Sequence, residues 1–411
     1  MSSSAAIEEW RRGWPMVLLT VIGLTCAPTT LPVYTLGVFV VPFGEEFGWG
    51  RGSIQAAILF STGLAAFSTP MAGNLIRRFG LRRTILPSLV GMAFALVLAA
   101  ANTGSLWQLY AIYALMSVLG AGAGAVAWTT LIIGRFDRAR GLALGVALSG
   151  TGLCAALMPQ IATLGLIQFG WRGAYITLAL FVAVIVLPVC ALMLPHEDIA
   201  ERDEVRPPVQ HAGIDASEAV RRWRFWALGM STAAIYLVVG GLLPNIVPAL
   251  LDSGASAAAA ASIMGLFGIA VIVGRISVGA LVDRFWAPLI AALVLVPAAV
   301  GCILLQTEVS IELMAAAVIL VGMATGMELD VLSFLATKYF GVSDYPRIYG
   351  RLYIFVAAAA GVAPMIFGYV YDWTGSYALP LQASAILLLL GAFGLIILGR
   401  YPEWPQQHDF A

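Results

Sequence analysis

Long apolar runs, separated by short polar or glycine-rich stretches, cover most of the 411-residue chain. A helix needs roughly 20 apolar residues to cross the hydrocarbon core of a bilayer. Twelve of the runs have about this length, so we predict an all-α membrane protein with twelve transmembrane helices. Their approximate ranges are 14–42, 52–76, 84–102, 106–134, 141–167, 172–194, 226–251, 256–282, 287–306, 311–336, 348–371 and 376–399.

The two halves of the chain repeat each other. Residues 73–79 (GNLIRRF) correspond to residues 279–285 (GALVDRF) at an offset of 206, and the pairs Phe136/Phe340, Pro159/Pro364 and Gly170/Gly375 follow at offsets of 204, 205 and 205. A nearly constant offset through several helices indicates an internal duplication. We therefore predict two pseudo-symmetric six-helix bundles, residues 1–195 and 226–411, with a substrate site between them near the membrane midplane.

The basic residues lie almost entirely on one side of the predicted membrane. Of the 22 Lys and Arg, only Arg51 and Arg172 lie on the opposite side, and only Arg275 lies inside a span. Cytosolic loops carry the excess of Lys and Arg. This asymmetry predicts that both termini face the cytosol and that the protein resides in the cytoplasmic membrane.

Composition excludes several classes of protein. The chain is 61% hydrophobic and 11% charged with a mean hydropathy of +0.92, whereas soluble domains carry about 25% charged residues. The formal net charge is zero, which gives no reason to expect nucleic-acid binding. All four cysteines lie in apolar runs and the three histidines lie outside the spans, so we expect no metal and no cofactor. Residues 196–225 form a charged cytosolic loop, which is a solvated linker or a small regulatory segment.

Arg275 is the basic residue that needs an explanation. It lies eight residues before Asp283, which places it roughly 12 Å inside the cytosolic boundary. An arginine at this depth costs about 2.5–3.5 kcal/mol on insertion scales and normally faces an aqueous cavity or an anionic partner. We predict that the anionic partner of Arg275 is, part of the time, the substrate.

Two acidic residues in the tenth predicted helix are candidate proton carriers. Asp330 lies eight residues before Lys338, at about the depth of Arg275, and Glu328 is two positions away, about 200° around the helix. We favour Asp330 as the resting partner of Arg275. A substrate carboxylate would displace this partner, which then takes a proton because burial disfavours a charged carboxylate. The alternative is a permanent ion pair that joins two helices.

Other polar side chains of the predicted spans are candidate substrate contacts. The proline-interrupted stretch from Ala27 to Tyr34 is typical of helices that line transport sites, and Tyr34 is its candidate contact. The remaining candidates are Trp128, Tyr236, Asn245 and Tyr353. For each of them, helix packing or anchoring at the membrane interface is an alternative role.

The repeated motif resembles the signature of the major facilitator superfamily, Gly-x-Leu-x-Asp-Arg-x-Gly-Arg-Arg after the second helix. The residues that match it, or stand at its positions, are Gly73, Leu75, Arg77, Arg78, Gly80, Arg82 and Arg83 in the first copy and Gly279, Leu281, Asp283 and Arg284 in the second. Arg77 replaces the usual aspartate, which Asp283 retains. The resemblance implies a gating role for these residues and for Arg351, which could pair with Asp283 to hold an outward-open state. A basic flank that sets topology would explain Arg351 equally well.

Within the superfamily, Gly274-Arg275 followed by Asp283 resembles the eighth helix of the monocarboxylate and oxalate/formate transporters, whose arginine binds the substrate carboxylate. Residues 326–330 (GMELD) resemble the tenth helix of the bacterial relatives. The chain departs from the family at three aligned positions: Val33 and Val356 replace lysines, and Val271 replaces an aspartate. A single cation in the cavity favours a monoanion over a dianion.

These observations predict a monomeric secondary transporter, not an enzyme, that moves a small organic monocarboxylate with a proton by alternating access. One alternative is an organic anion exchanger without proton coupling, or an efflux permease. Another is a carboxylate sensor that does not transport, although neither the termini nor the central loop supplies an obvious signalling domain.

Overall fold

The computed structural model describes residues 3–136, 140–195, 213–282, 284–306, 310–341 and 343–402. Within these ranges the chain is almost entirely helical and forms no strand beyond one isolated bridge, between Gly213 and Gly341. The helices are α1 Ser3–Leu24, α2 Leu31–Phe47, α3 Arg51–Ala100, α4 Leu106–Leu119, α5 Ala125–Ile133, α6 Arg140–Leu148, α7 Gly150–Leu180, α8 Leu187–Met193, α9 Ala216–Arg221, α10 Trp223–Leu242, α11 Ile246–Asp252, α12 Ala257–Val282, α13 Ala287–Leu304, α14 Ile311–Phe340, α15 Tyr345–Thr374 and α16 Ala378–Ile397.

Eight helical stretches in the described ranges are long and apolar enough to cross a membrane. They are Met71–Ala100, Leu142–Met193, Trp223–Asp252, Ala257–Val282, Ala287–Leu304, Ile311–Phe340, Arg347–Thr374 and Ala378–Ile397. The first and fourth predicted spans are broken into shorter helices, and two pairs of predicted spans run on as continuous stretches. Because of these differences, twelve crossings in two bundles remains a prediction.

The breaks in the first and fourth predicted spans touch each other. Between α1 and α2, residues 25–30 form turns around Pro28, which has no N–H for the helical ladder. Between α4 and α5, the short 3₁₀ segment Ala121–Ala123 interrupts the helix. A Cβ atom added to Gly120 would lie 2.9 Å from Cβ of Pro28, so the two interrupted segments pack against each other. Gly120 therefore serves close helix packing.

Glycines with positive φ separate the spans that run together in α3 and α7. Gly80 has φ 80° and ψ 167°, and Gly170 has φ 71° and ψ −176°. Residues that carry a Cβ atom rarely adopt these φ and ψ angles. Glycine therefore lets the backbone change direction at these two positions. Gly80, which belongs to the repeated motif, thus has a local structural reason to be glycine.

Helix α12 lies at the centre of the packing. It contacts α14 along one side and α7 of the other half of the sequence along another, and α15 packs against α3 across the same division. A Cβ atom at Gly152 would lie 2.6 Å from Ile272 and 2.9 Å from the Gly268 carbonyl oxygen. Small residues let helix backbones approach closely in membranes, where the hydrophobic effect does not drive helices together. This close approach positions α12 and its arginine against the N-terminal half.

Candidate functional site

The Arg275 side chain is buried between helices from both halves of the sequence, with 8% of it exposed. Its Nε atom lies 3.1 Å from Oδ2 of Asp330 and 3.3 Å from the Gly326 carbonyl oxygen on α14. Its Nη1 atom donates to the Leu148 carbonyl oxygen at 2.5 Å and lies 3.5 Å from the Thr151 hydroxyl. The guanidinium therefore faces the interior of the bundle and not lipid.

Two glycines bring the backbones of α12 and α14 close enough for the Arg275–Asp330 contact. A Cβ atom added to Gly274 would overlap the Met323 carbonyl oxygen, and one added to Gly326 would overlap the Val271 carbonyl oxygen. Each glycine thus lies directly against the backbone of the opposite helix. The residues next to them in sequence, Arg275 and the acidic pair after Gly326, are held at the same crossing.

Asp330 and Glu328 face different surroundings, as expected for residues two positions apart on a helix. Asp330 pairs with Arg275, and 35% of its side chain is exposed, against 8% for Arg275. Glu328 lies toward α10, where it interacts electrostatically with Tyr236. In the described part of the chain, the Tyr236 hydroxyl and Oε2 of Glu328 are buried, and neither makes a hydrogen bond of full geometry. The geometry therefore favours Asp330 as the partner that a substrate would displace.

Tyr34 extends the site to α2. Its side chain is buried, its ring centroid lies 6.5 Å from that of Phe267, and its hydroxyl is within electrostatic range of Arg275 and Glu328. Helix α2 begins just after the break at residues 25–30. The site thus draws polar groups from α2, α6, α7, α12 and α14.

A row of tyrosines on α15 leads to the site. Tyr345, Tyr349 and Tyr353 are spaced four residues apart, and their successive ring centroids are 5.4 Å and 6.3 Å apart. Tyr353 is 45% exposed, and Tyr349 interacts electrostatically with Asp330. The sequence analysis named only Tyr353. The four-residue spacing, which places side chains on one helix face, was the available signal for the other two.

Trp128 and Asn245 have other partners in this conformation. The Trp128 indole is fully buried against Gly23 and donates to the Ala123 carbonyl oxygen at 2.9 Å. It therefore packs α5 against α1 and, contrary to the prediction, does not line the site in this conformation. Asn245 exchanges two amide hydrogen bonds with Gln55, at 2.7 and 2.8 Å. Asn245 therefore joins the two halves. The sequence analysis did not single out Gln55, although a buried amide in an apolar run was a signal.

The far end of the helices, defined by residues 46–52, 101–105, 171–172, 252 and 371–377, is closed by contacts between the two halves. Arg51 forms a bidentate ion pair with Asp252, with both N–O distances 2.8 Å, and donates to the Tyr377 hydroxyl at 2.9 Å. The Asp372 carboxylate accepts from the backbone N–H groups of Arg51 and Gly52 at 2.8 and 2.9 Å. The Gln55–Asn245 pair lies one turn further along α3.

The predicted gating residues that the structure describes lie at or near the opposite, linker end, defined by residues 77–83, 194–195, 213–222, 284–286, 340–341, 343–351 and 398–402. Arg82 donates to the Leu194 carbonyl oxygen at 2.6 Å, and Arg351 donates to the Ala216 carbonyl oxygen at 2.6 Å. Arg77 contacts Asn74, Arg78 lies 5.2 Å from the Phe79 ring, and Arg284 lines a surface cavity. Asp283 lies outside the described residues, so its predicted pairing with Arg351 stays a prediction.

The motif glycines of both repeats face open space at this end. A Cβ atom added to Gly73 or to Gly279 would meet no atom within 4 Å, in contrast to the tightly packed Gly274. Gly145 and Gly350, which are related by the same internal repeat, are equally uncovered. Uncovered glycines also occur at the far end, at Gly48, Gly254 and Gly375, so they do not distinguish the two ends. Among the described residues, the hydrogen bonds between the halves lie at the far end and at Arg275.

The fold, the buried arginine and the repeated motif define a multi-pass membrane transporter. The model of the Major Facilitator Superfamily matches residues 14–328 and 228–409, and the chain belongs to this family. In overall fold it is similar to a bacterial homolog of the human lysosomal transporter Spinster in an inward-facing and occupied conformation. That similarity has a TM-score of 0.69 and 15% identity, and covers 95% of this chain and 97% of the other.

Its relatives in sequence include transporters named for monocarboxylates. The chain is 24% identical to bovine (Bos taurus) monocarboxylate transporter 13, over 89% of this chain and 85% of that protein. It is 27% identical to human (Homo sapiens) monocarboxylate transporter 11, with coverages of 89% and 79%. It is also 27% identical to the 2-nitroimidazole transporter of Escherichia coli K12, with coverages of 92% and 95%. The chain is thus a transporter from a monocarboxylate-like branch, and not an enzyme.

Proposed function

We propose that the protein transports a small organic monocarboxylate together with a proton by alternating access. The main support is the Arg275–Asp330 ion pair, a buried cation on α12 whose acidic partner on α14 remains accessible. Within the described residues the Nη2 edge of Arg275 makes no hydrogen bond, so it offers N–H groups to a carboxylate. The similarity to monocarboxylate transporters favours the same substrate class.

The proposed cycle exchanges one carboxylate for another on Arg275. The guanidinium stays charged at any working pH, because its proton is not lost in proteins. An arriving substrate carboxylate replaces Asp330, which leaves Asp330 without its cation in a largely apolar site. Asp330 then takes a proton, because an unpaired charge in such surroundings is costly. The net charge of the site is the same before and after, so anion and proton move together.

The side of the membrane to which the substrate site opens follows from the different contacts at the far end and the linker end. We propose twelve transmembrane helices in two pseudo-symmetric bundles, residues 1–195 and 226–411, connected by residues 196–225. The chain acts as a monomer in the cytoplasmic membrane, with both termini and the linker end in the cytosol. The Arg51 contacts between the halves at the far end then correspond to an inward-facing state, since the described hydrogen bonds of Arg82 and Arg351 at the linker end do not join the halves. Asp283 and Arg351 remain candidates for closing the linker end.

Substitution of Arg275 tests the substrate role. Arg275→Ala removes a charge-assisted contact of about 1.5–3 kcal/mol, which corresponds to a loss of carboxylate affinity of roughly 10- to 150-fold. We expect proteoliposomes containing Arg275→Ala or Arg275→Lys to show strongly reduced uptake of labelled monocarboxylates, because lysine cannot reproduce the planar fork. Thr151→Val, which changes a weaker neighbour of the same guanidinium, is the matched control. Wild-type uptake in both Arg275 variants, with intact protein, would exclude the role.

A second candidate function is efflux of an uncharged solute, with Arg275–Asp330 as a permanent structural pair. The observation that favours it is the similarity to a protein named a 2-nitroimidazole transporter, which covers 92% of this chain. A thermal-shift screen of purified protein separates the two functions. Stabilisation by monocarboxylates supports the main proposal, and stabilisation only by neutral heterocycles supports the second.

A further inference from the structure

A cavity of about 470 Å³ opens at the linker end, away from the Arg275 site. Its walls come from the end of α12, the start of α13, the end of α14 and the segment after α16. The lining residues are Val282, Arg284, Phe285, Trp286, Phe334, Lys338, Arg400 and Tyr401. Three of these side chains are cations and none is acidic, so the lining favours an anion.

Aromatic rings surround the cations of this cavity. The Lys338 ammonium lies 5.2 Å from the centre of the Phe334 ring and 6.0 Å from that of Tyr401. Phe285 is 58% exposed and lies where the apolar span of α12 ends. Aromatic and basic side chains at a span end are typical of the membrane interface, where lipid headgroups meet the hydrocarbon.

The start of α13 adds to the preference for an anion. Beside it, the buried indole of Trp286 interacts with the Tyr339 hydroxyl, which donates to the Gly399 carbonyl oxygen. Helix α13 begins at Ala287, whose N–H is held by the Tyr401 hydroxyl at 3.0 Å. The positive end of this 18-residue helix therefore lies at the cavity wall.

We propose that this cavity binds a phosphate-bearing anion, with the phosphodiester headgroup of an anionic phospholipid as its main ligand. Basic pockets between transmembrane helices on the cytosolic side recognise such headgroups. The aromatic walls would contact the glycerol and upper acyl carbons, which a free phosphate lacks. A headgroup bound here bridges the ends of α12 and α14, the helices that carry Arg275 and Asp330. The site goes beyond the proposed transport function and does not depend on it.

The first experiment measures lipid binding by native mass spectrometry of delipidated, full-length protein with phosphatidylglycerol or phosphatidylcholine. We expect phosphatidylglycerol to bind preferentially to the wild type. The double variant Arg284→Gln/Arg400→Gln should bind it about thirtyfold more weakly, because each basic residue contributes roughly a fivefold factor near anionic lipid. Arg78→Gln, at the repeat-related position of the other half, is the control that should retain wild-type binding.

A second arm separates the two sources of phosphate. Inorganic phosphate and glycerol 3-phosphate are added in a thermal-shift assay to the wild type and to the double variant. Stabilisation of the wild type alone by these soluble anions, without preferential lipid binding, would keep the anion site but assign it a soluble ligand. Arg284→Lys/Arg400→Lys keeps both charges and should retain binding if charge matters. Equal lipid binding and equal thermal shifts in the wild type and the glutamine variant would overturn the proposal.

Discussion

At the scale of single residues, the proposed proton coupling requires one of two carboxylates, Asp330 or Glu328, to carry the proton. Asp330 forms an ion pair with Arg275 and remains partly exposed, whereas Glu328 is turned toward Tyr236. A carboxylate that exchanges a cation for a proton must reach both the cation and water. Asp330 meets both conditions in this conformation. Glu328 is also partly exposed, but it forms no ion pair with Arg275 among the described residues.

We therefore expect Asp330→Asn to abolish accumulation driven by a pH gradient while substrate exchange continues. Asparagine has no charge to neutralise, so the proton is no longer required for the change of access. Glu328→Gln is the matched variant two residues away and should still accumulate substrate. The measurement is uptake and counterflow of labelled monocarboxylate in proteoliposomes with and without an imposed pH gradient. Loss of accumulation only in Glu328→Gln would move the proton to Glu328, and accumulation in both variants would contradict the coupling.

At the scale of helices, glycine contacts fix where α12 lies. Gly274 and Gly326 allow the backbones of α12 and α14 to touch. Gly268 and Gly152 allow the same close contact between α12 and α7. The Arg275–Asp330 pair depends on this crossing, because Arg275 directly follows Gly274 and Asp330 lies one helical turn after Gly326. The sequence around Arg275 thus provides both the charge of the arginine and, through Gly274, the close approach of the α12 and α14 backbones.

Substitutions on α12 test this geometry. Gly274→Ala should lower thermal stability, because overpacking of a tight contact costs about 1–3 kcal/mol and the added carbon overlaps the backbone of α14. Gly279→Ala lies on the same helix in open space and should leave the melting temperature within about 2 °C of the wild type, since small effects away from packed sites stay near ±0.5 kcal/mol. Fluorescence-detected melting of both purified variants is the measurement. Equal losses would contradict the close approach.

At the scale of the whole molecule, the far end is held closed by polar contacts between the halves. Arg51 combines an ion pair with Asp252, a hydrogen bond to Tyr377 and stacking on Tyr371 at 3.8 Å. Several contacts of one side chain act as a unit, so the loss of Asp252 leaves a partly buried guanidinium with fewer partners. The proposed alternating access requires that this cluster separate.

We expect Asp252→Asn to shift the protein away from the far-end-closed state. Spin labels on cysteines introduced at Thr103 and Ser253, which are exposed at this end on opposite halves, report the separation by double electron–electron resonance. The four native cysteines are buried, which favours selective labelling. The wild type should show mainly a short distance, and Asp252→Asn should add a longer population. Glu45→Gln, an acidic residue of the same end outside the cluster, is the control. Identical distributions in all three proteins would contradict a latch at Arg51.

The sequence determined the helical membrane class and the family, and it predicted the buried position of Arg275, because hydropathy, repeat spacing and a costly buried charge are all local properties of the chain. It also placed Asp330 level with Arg275, since helical rise is regular. It separated the spans on either side of Gly80 and Gly170, which the structure joins through glycines of positive φ. It predicted the first and fourth spans as single runs although they break around Pro28 and Gly120, because such breaks depend on packing against other helices.

Only the tertiary structure decided which side chains contact one another across helix interfaces. The pairing of Gln55 with Asn245, the packing role of Trp128 and the Arg51 cluster each join residues far apart in sequence or depend on which face of a helix is covered. The cavity beside Arg284 is formed by four separate segments. Spacing along one helix gives depth and face, but the neighbour across an interface is set by how all the helices pack together, and that information is not contained in any single stretch of the chain.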